Sequence, residues 1–584
     1  MHLRPSLKAL AVLASLLVAP GLAVLATEYH VDPETGSMAN DGTATSPWST
    51  LEAVFADGKT FEPGDRILLR DGYHGEPVVS GAPSDTVYIE AEEGHEPRLS
   101  RLRLPSGTRN WFVSGLRISR SYAPEFDTDT MVSLSGEHNT IDNCRIYSEE
   151  DSSEWTLQEW RDKQGRGISY GGNHTVIQYN TLLNMRFAIS GSGTNAVIRG
   201  NTIMNFGEDA IRVLGDDTII EENYIGEVYN LQDGAHRDGI QSWTSGPGGV
   251  GTGVVRGVII RHNTIVAYTD PDRPMIGGLQ GIGLFDGFFE EWVVKNNVVV
   301  TNHFHGITFL GARNCTIINN TVIDLDEDRA ATWIEVGHHK RHSQVAEEDR
   351  EQWASRGNII RNNVATQFRI PDGSAVVENN AQVREHAHFH TWFADYPRDM
   401  RPVITGRRAE PLIDRGTGDG APVTDHAGNP RPLDGTGDGM PSWDIGAYEY
   451  TGYGIWRRFT MTDEAMNVST GRFLHGINVA ADPWIWVWRL QNWAFIPPAS
   501  PDTAGGWIWV LNQNGAPEGT PSSESWYGYP VDDGTRAETG AFLGTVDISH
   551  DPWIWIEDLS RWAYLEPAET MDPNGAWVWV LAEG

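Results

Sequence analysis

Between Tyr229 and Trp243 the chain gathers Tyr229, His236, Arg237, Asp238, Gln241 and Trp243 into one short stretch. A guanidinium, an imidazole and a phenol together can neutralise a carboxylate, take a proton from the carbon beside it and return a proton to a departing oxygen. In that division of labour His236 is the base, and Arg237 or Arg212 is the clamp. His303 and His305 add two imidazoles further along, and His338, His339, Lys340, Arg341 and His342 form the most basic patch of an acidic chain. Such a run attracts an anion locally, while adjacent histidines lack the i, i+4 spacing of a zinc pair. Asp209 and Asp238 offer different chemistry, either a carboxylate pair for hydrolysis or two hard oxygen ligands for Ca2+. The same polar residues could also hold their own turns.

These groups act together only if something rigid aligns them, and an internal repeat supplies it. From Ile141 to Val364 two apolar residues, two variable ones and an asparagine recur, as in Val176 to Asn180, Val197 to Asn201, Ile219 to Asn223, Ile259 to Asn263 and Val293 to Asn297. The closest spacings are 21 to 23 residues. A second strand falls in each period, with an isoleucine usually preceded by Gly or Ala (Ile168, Ile189, Ile211, Ile240, Ile282, Ile307). Such a period in β-branched residues marks a solenoid, and without a leucine framework it is a parallel β-helix rather than a leucine-rich repeat. Equivalent asparagines then stack and hydrogen-bond from coil to coil.

The repeat, the opening Tyr29-His30-Val31-Asp32 through Pro47-Trp48 to Pro63-Gly64-Asp65-Arg66-Ile67, and the closing Asp444-Ile445-Gly446-Ala447-Tyr448-Glu449-Tyr450 resemble the right-handed parallel β-helix superfamily typified by pectate lyase. That superfamily also contains alginate and chondroitin lyases, C5-epimerases and polygalacturonases. The resemblance spans residues 27 to about 450 and implies an all-β fold, a right-handed parallel β-helix. It carries no catalytic residue across. The epimerase signature Asp-Pro-His-Asp/Glu is absent, as is the polygalacturonase set of paired Asp, Gly-His-Gly and Arg-x-Lys, and fold alone does not set the reaction.

With the strand order of that superfamily, the Gly-Ile strand lies in the first sheet and added chain length (226–238, 243–256, 267–281, 336–357) flanks its face. Loops on a rigid scaffold are where binding groups collect, so the cleft is expected over this sheet. Residues two before each isoleucine form one column, Arg166, Phe187, Asp209, Asp238, Gln280, His305 and Thr332. Those one after form another, Ser169, Ser190, Arg212, Gln241, Gly283, Thr308 and Glu335. The expected catalytic groups are His236, Arg237, Asp238, Tyr229, His305 and Lys340. Arg166, Arg212, Gln241, Trp243, Gln280, His303, Glu335, His338 and His339 are expected to bind substrate. The reading is a polysaccharide lyase acting on a uronate polymer. A glycoside hydrolase using Asp209 and Asp238, about 4.8 Å apart along the stack, and a non-catalytic surface protein remain open. The residues call for no particular cofactor, and Ca2+ at Asp209 and Asp238 is the open case.

Residues 1–26 combine Arg4 and Lys8 with an apolar run from Ala9 to Leu25, the pattern of a secretory signal peptide. No later segment is long enough to span a bilayer, so the mature chain is expected to be secreted, periplasmic or on the cell surface. With 79 acidic and 44 basic residues, net −35, the general surface excludes nucleic acid as a partner. After residue 450 the asparagine pattern stops and tryptophan takes over. Asp482-Pro483-Trp484-Ile485-Trp486 returns as Asp551-Pro552-Trp553-Ile554-Trp555, and Trp507-Ile508-Trp509 as Trp577-Val578-Trp579. Residues 451–584 are therefore expected to be a duplicated β module, with repeats at about 455–515 and 525–584. Its alternation of aromatic and aliphatic side chains suits contact with sugar rings or packing between repeats. Cys144 and Cys315, on rungs far apart, are not expected to pair, since a disulfide needs Cα atoms within about 7 Å.

Overall fold

The structure, a computed structural model, describes residues 26–325, 332–405, 408–409, 411–435 and 440–451, and beyond these the strands and tight turns of the tail. The expected signal peptide falls outside the described residues, apart from Ala26. No described helix is long and apolar enough to cross a membrane. The chain forms two compact units, 1–197 and 198–584.

The first unit opens with Glu28–Val31, Arg66–Leu69, Val87–Ala91, Trp111–Ser114, Thr140–Asp142 and Val176–Gln178, each parallel and in register with the next. Alternation along these short strands buries Ile67, Ile89, Val113, Ile141 and Ile177 completely. Thr50 accepts a hydrogen bond from the backbone of Ala53 and so caps the helix Leu51–Ala56, whose Leu51, Val54 and Phe55 are buried. Cys144 stands in the asparagine position, where its backbone N–H donates to Asn180 Oδ1 at 2.9 Å.

In the second unit three parallel ladders wind together as a right-handed parallel β-helix. The sheet expected to carry the cleft is built from β1 (Ile211–Val213), β2 (Asp238–Trp243), β3 (Gln280–Asp286), β4 (His305–Leu310), β5 (Trp333–Gly337) and β6 (Gln367–Arg369), successively parallel. Ile211, Ile240, Ile282, Ile307 and Ile334 stack inward with no exposed surface. The second sheet stacks Ile220, Ile260, Val294, Ile317 and Ile360 in register, and the third stacks Ile225, Ile265, Val299, Val322 and Ala365.

The asparagines form the ladder that the repeat implies. The backbone N–H of Asn201 donates to Asn223 Oδ1, that of Asn223 to Asn263, then Asn297, Asn320, Asn363 and Asn380, at 2.9–3.1 Å. Each bend is made by the preceding residue in the left-handed region, Glu222, His262, Asn296, Asn319 and Asn362 at φ 53–58° and Gly200 at 63°. Cys315 lies off this ladder, five residues before Asn320, and donates instead to Asn358 Oδ1. Both cysteines are free and buried.

The tail is an antiparallel sheet with an aliphatic core of its own, including Ile477, Ile485, Val487, Ile508, Ile554, Ile556, Val578 and Val580. Its two halves meet where Gly505–Leu511 pairs antiparallel with Gly575–Leu581.

Candidate active site

Five rung-to-rung pairings carry one column of side chains along β1 to β6. They join Arg212 to Gln241, Gln241 to Gly283, Gly283 to Thr308, Thr308 to Glu335 and Glu335 to Arg369. The last residue, Arg369, extends the second sequence column by one rung and was missed because the isoleucine of the repeat is Phe368 there. The first column holds for Asp238 and Gln280, which pair directly. It breaks at Thr332. A register shift between His305 and Ile307 sets His305 opposite Trp333, and Thr332 is buried with its hydroxyl donating to the His303 carbonyl.

At one end of the strip lies a buried acid pair. Asp209 and Asp238 are 1% and 0% exposed. The Arg212 guanidinium donates to Asp209 Oδ2, and the Asp238 backbone N–H donates to Asp209 Oδ1 at 3.1 Å. Gln241 donates to Asp238 Oδ2 at 2.9 Å, while Asp238 Oδ1 is buried with no partner. Burial and then the neighbouring Asp209 charge push the Asp238 carboxyl well above the usual carboxylate range. Burial raises Asp209 too, but Arg212 opposes it, so of the two carboxyls Asp238 is the one that favours its proton. Gly283 leaves room for this acid, since a Cβ there would lie 2.3 Å from Asp238 Oδ1. The pair does not suit Ca2+. Both Asp209 oxygens already accept hydrogen bonds, and no group of three metal-ligating side chains occurs among the described residues.

Further along, the strip is basic and aromatic. His305 packs edge-on to Phe285 and Trp333 at 4.9 and 5.1 Å and stacks with His303 at 5.4 Å. Its Nδ1 lies 2.9 Å from Thr308 Oγ1, which also accepts from Trp333 Nε1 at 3.1 Å. Burial, and then the neighbouring His303, His236, Arg369 and Lys340, hold the His305 imidazole down to about 3. The exposed Arg369 guanidinium lies 3.4 Å from the Trp333 ring centre and makes no ion pair among the described residues. Glu335, half-buried beside it, is raised by burial against the pull of Arg369. His236 is exposed, and its Nδ1 lies 3.1 Å from the side-chain amide of Gln280, whose Oε1 is buried without a partner. Trp243 lies under the Arg212 guanidinium at 5.3 Å.

Other expected residues are placed elsewhere or already engaged. Arg237 is buried, its guanidinium donating to Asp233 and the Ala235 carbonyl, so it holds its own loop rather than a substrate carboxylate. Arg212 is likewise committed to Asp209, with Glu208 3.7 Å away. Tyr229 is buried beneath the Arg273 guanidinium at 4.2 Å. His339 is buried against Phe288 and accepts at Nδ1 from the Arg341 N–H, so its Nε2–H donates to the Gly251 carbonyl at 2.7 Å. His338 accepts from the Ser355 N–H and packs on His342. Lys340 Nζ donates to both Asp286 oxygens at 2.9 and 3.0 Å, a salt-bridged ammonium rather than a free amine. Arg166 belongs to the first unit, where it pairs with Phe187 and is exposed.

The class defined by this architecture is the right-handed parallel β-helix, and residues 130–322 match the family model of the right handed beta helix region. Among solved structures the chain is similar to pectate lyase Pel9A, with 15% identity, 73% of this chain and 96% of that one covered, and a TM-score of 0.37. It is also similar to alginate lyase AlyF-OU02 in complex with G6 (14%, 62% and 79%, 0.38). A third is the GH136 lacto-N-biosidase of Eubacterium ramulus (14%, 61% and 68%, 0.35). At these values the likeness concerns the coil and not the reaction. No curated protein matches the chain.

Proposed function

We propose that the protein is an exported carbohydrate-active enzyme that cleaves a uronate-containing polysaccharide by β-elimination over β2 to β6. The observation that carries this reading is the exposed Arg369 guanidinium, stacked on Trp333 and in no ion pair among the described residues, in a chain of net charge −35. Such an exposed cation attracts an anionic group locally. Arg369, exposed and without an ion-pair partner among the described residues, takes the uronate carboxylate and stabilises the charge that develops when the adjacent C5 proton leaves. His236 is the base. With the Gln280 side-chain amide turned so that its oxygen accepts from Nδ1–H, Nε2 carries the lone pair that removes the proton as the C4–C5 double bond forms and the C4–O bond breaks, and the imidazolium or water returns a proton to the departing oxygen. The aromatic faces of Phe304 and Trp243 receive sugar rings.

Ultraviolet absorbance of the conjugated double bond, followed with polyuronates, tests the reaction. New reducing ends without that absorbance would instead favour hydrolysis through Asp209 and Asp238. Both carboxyls are almost fully covered, which counts against that second reading. The boundary between helix and Trp-rich tail is set near residue 450, and residues 1–26 are a leader removed on export. Amino-terminal sequencing of the secreted protein tests the latter.

A further inference from the structure

The tail sheet buries one face and turns aromatic rings out on the other. Along Trp484–Val487, Ile485 and Val487 are fully buried, whereas Trp484 is 37% exposed and Trp486 half-buried. The second repeat copies this. Ile554 and Ile556 are buried, and Trp553 is 40% exposed. Cross-strand register then aligns the rings into rows. Trp484 pairs with Phe495, and Phe495 with Trp509. The second row joins Trp553 to Tyr564, and Tyr564 to Trp579. The two rows meet where the repeats pair, related by a local two-fold at Ile508 and Val578. They form one band across six neighbouring strands, about 24 Å at the usual strand spacing.

Ring geometry repeats as faithfully as register. Trp484 meets Phe495 at 5.6 Å and 67°, and Trp553 meets Tyr564 at 5.5 Å and 65°. Inner pairs do the same, Trp486 with Trp493 at 71° and Trp555 with Trp562 at 72°. Edge-to-face contact fixes the rings of these four pairs, so a ligand meets a platform with little side-chain entropy left to lose. An exposed aromatic band of this kind on a monomer marks an interaction surface. Successive rings of a row stand one strand apart, close to the length of one pyranose unit in an extended chain, and each pyranose presents a face of C–H groups to a ring.

Charge selects the occupant. Residues 451–584 carry 17 acidic and 6 basic side chains and no lysine. An anionic polymer is repelled from such a surface, and so is a second acidic copy of the module. We infer that this aromatic band is a second, non-catalytic glycan site that takes a neutral polysaccharide chain lying across the strands. It stands independently of the reaction assigned to the cleft. The two repeats bind adjacent lengths of one chain, so their contributions combine by avidity.

The test uses the full mature chain in affinity electrophoresis through gels containing hydroxyethyl cellulose, laminarin or galactomannan as neutral probes and alginate as the anionic probe. Trp484→Ala, Trp553→Ala and the double variant remove exposed rings and leave the aliphatic core intact, which near-ultraviolet circular dichroism checks. The inference expects retention by at least one neutral polymer, weakened about tenfold by each single change and abolished in the double variant, as expected for loss of avidity. It also expects polyuronate turnover unchanged in all three. Retention by none of the neutral polymers, retention by alginate that falls in the double variant, or unchanged neutral retention in the double variant overturns it. So does a sedimentation result in which wild type is a dimer and the double variant a monomer, since the band would then be covered by a second copy.

Discussion

Replacing Arg369 with glutamine tests the cleft most directly, because the change keeps the side-chain stem and removes only the charge and its fork. In the free protein the loss is small. The guanidinium lies on the Trp333 ring at 3.4 Å and is exposed, where a cation–π contact contributes about 0.5–1 kcal/mol. In the complex the loss is larger, since hydrogen bonds to charged groups are worth about 1.5–3 kcal/mol each and a guanidinium makes two with a carboxylate. Solvent screening at an exposed site favours the low end, about 3 kcal/mol, or roughly 100-fold in kcat/KM. The assay compares kcat/KM on a polyuronate with that on its methyl-esterified form. Only the charged substrate is expected to suffer, while the unfolding midpoint barely moves. Equal losses on both substrates, or no loss on either, would refute the assignment of Arg369 as the clamp. The same variant is expected to raise the His305 pKa from about 3, because one of the cations opposing the imidazolium is gone, and NMR titration of the ring reads this independently of substrate.

His236→Ala is expected to cost at least about 100-fold in turnover, the usual range for losing a general base, and near-normal turnover would move the base elsewhere. Lys340→Ala is expected to weaken binding with kcat retained, and to change stability by less than about 1 kcal/mol, since its pair with Asp286 is half-exposed. The His305 ring is neutral when folded, with a pKa of about 3 against the ordinary 6.5, so between those values the unfolded chain binds more protons. Its stabilising contribution is complete above the ordinary value and is lost as pH falls from 6.5 toward 3. His305→Asn should flatten the acid limb of urea-unfolding stability against pH, and an unaltered slope would contradict this. Asn297→Ala removes the acceptor of two Asn263 hydrogen bonds at 3.0 Å, and the donor to Ile260 O and Asn320 Oδ1, inside the ladder. It is expected to cost about 2–4 kcal/mol in chemical denaturation, with KM untouched.

The coil was legible in the sequence because in-register stacking places the same type of side chain at the same point of every turn. Asn201, Asn223, Asn263 and Asn297 recur for a local reason, as each satisfies its neighbour's backbone. The inward isoleucines likewise recur because each buries the one before it. The duplicated tail was legible on the same ground, as copied segments form copied strands. Which charges remain available was not legible, because a cation's partner is chosen by loops that meet only after folding. Lys340 finds Asp286 54 residues away, and Arg237 turns back to Asp233. Arg369, on a rung where phenylalanine replaces the isoleucine, ends beside Trp333 and in register with Glu335, with no ion pair among the described residues. Periodicity assigns a residue to a face. Only the packed loops and a one-residue register shift at His305 decide which groups on that face meet one another and which still face the cleft.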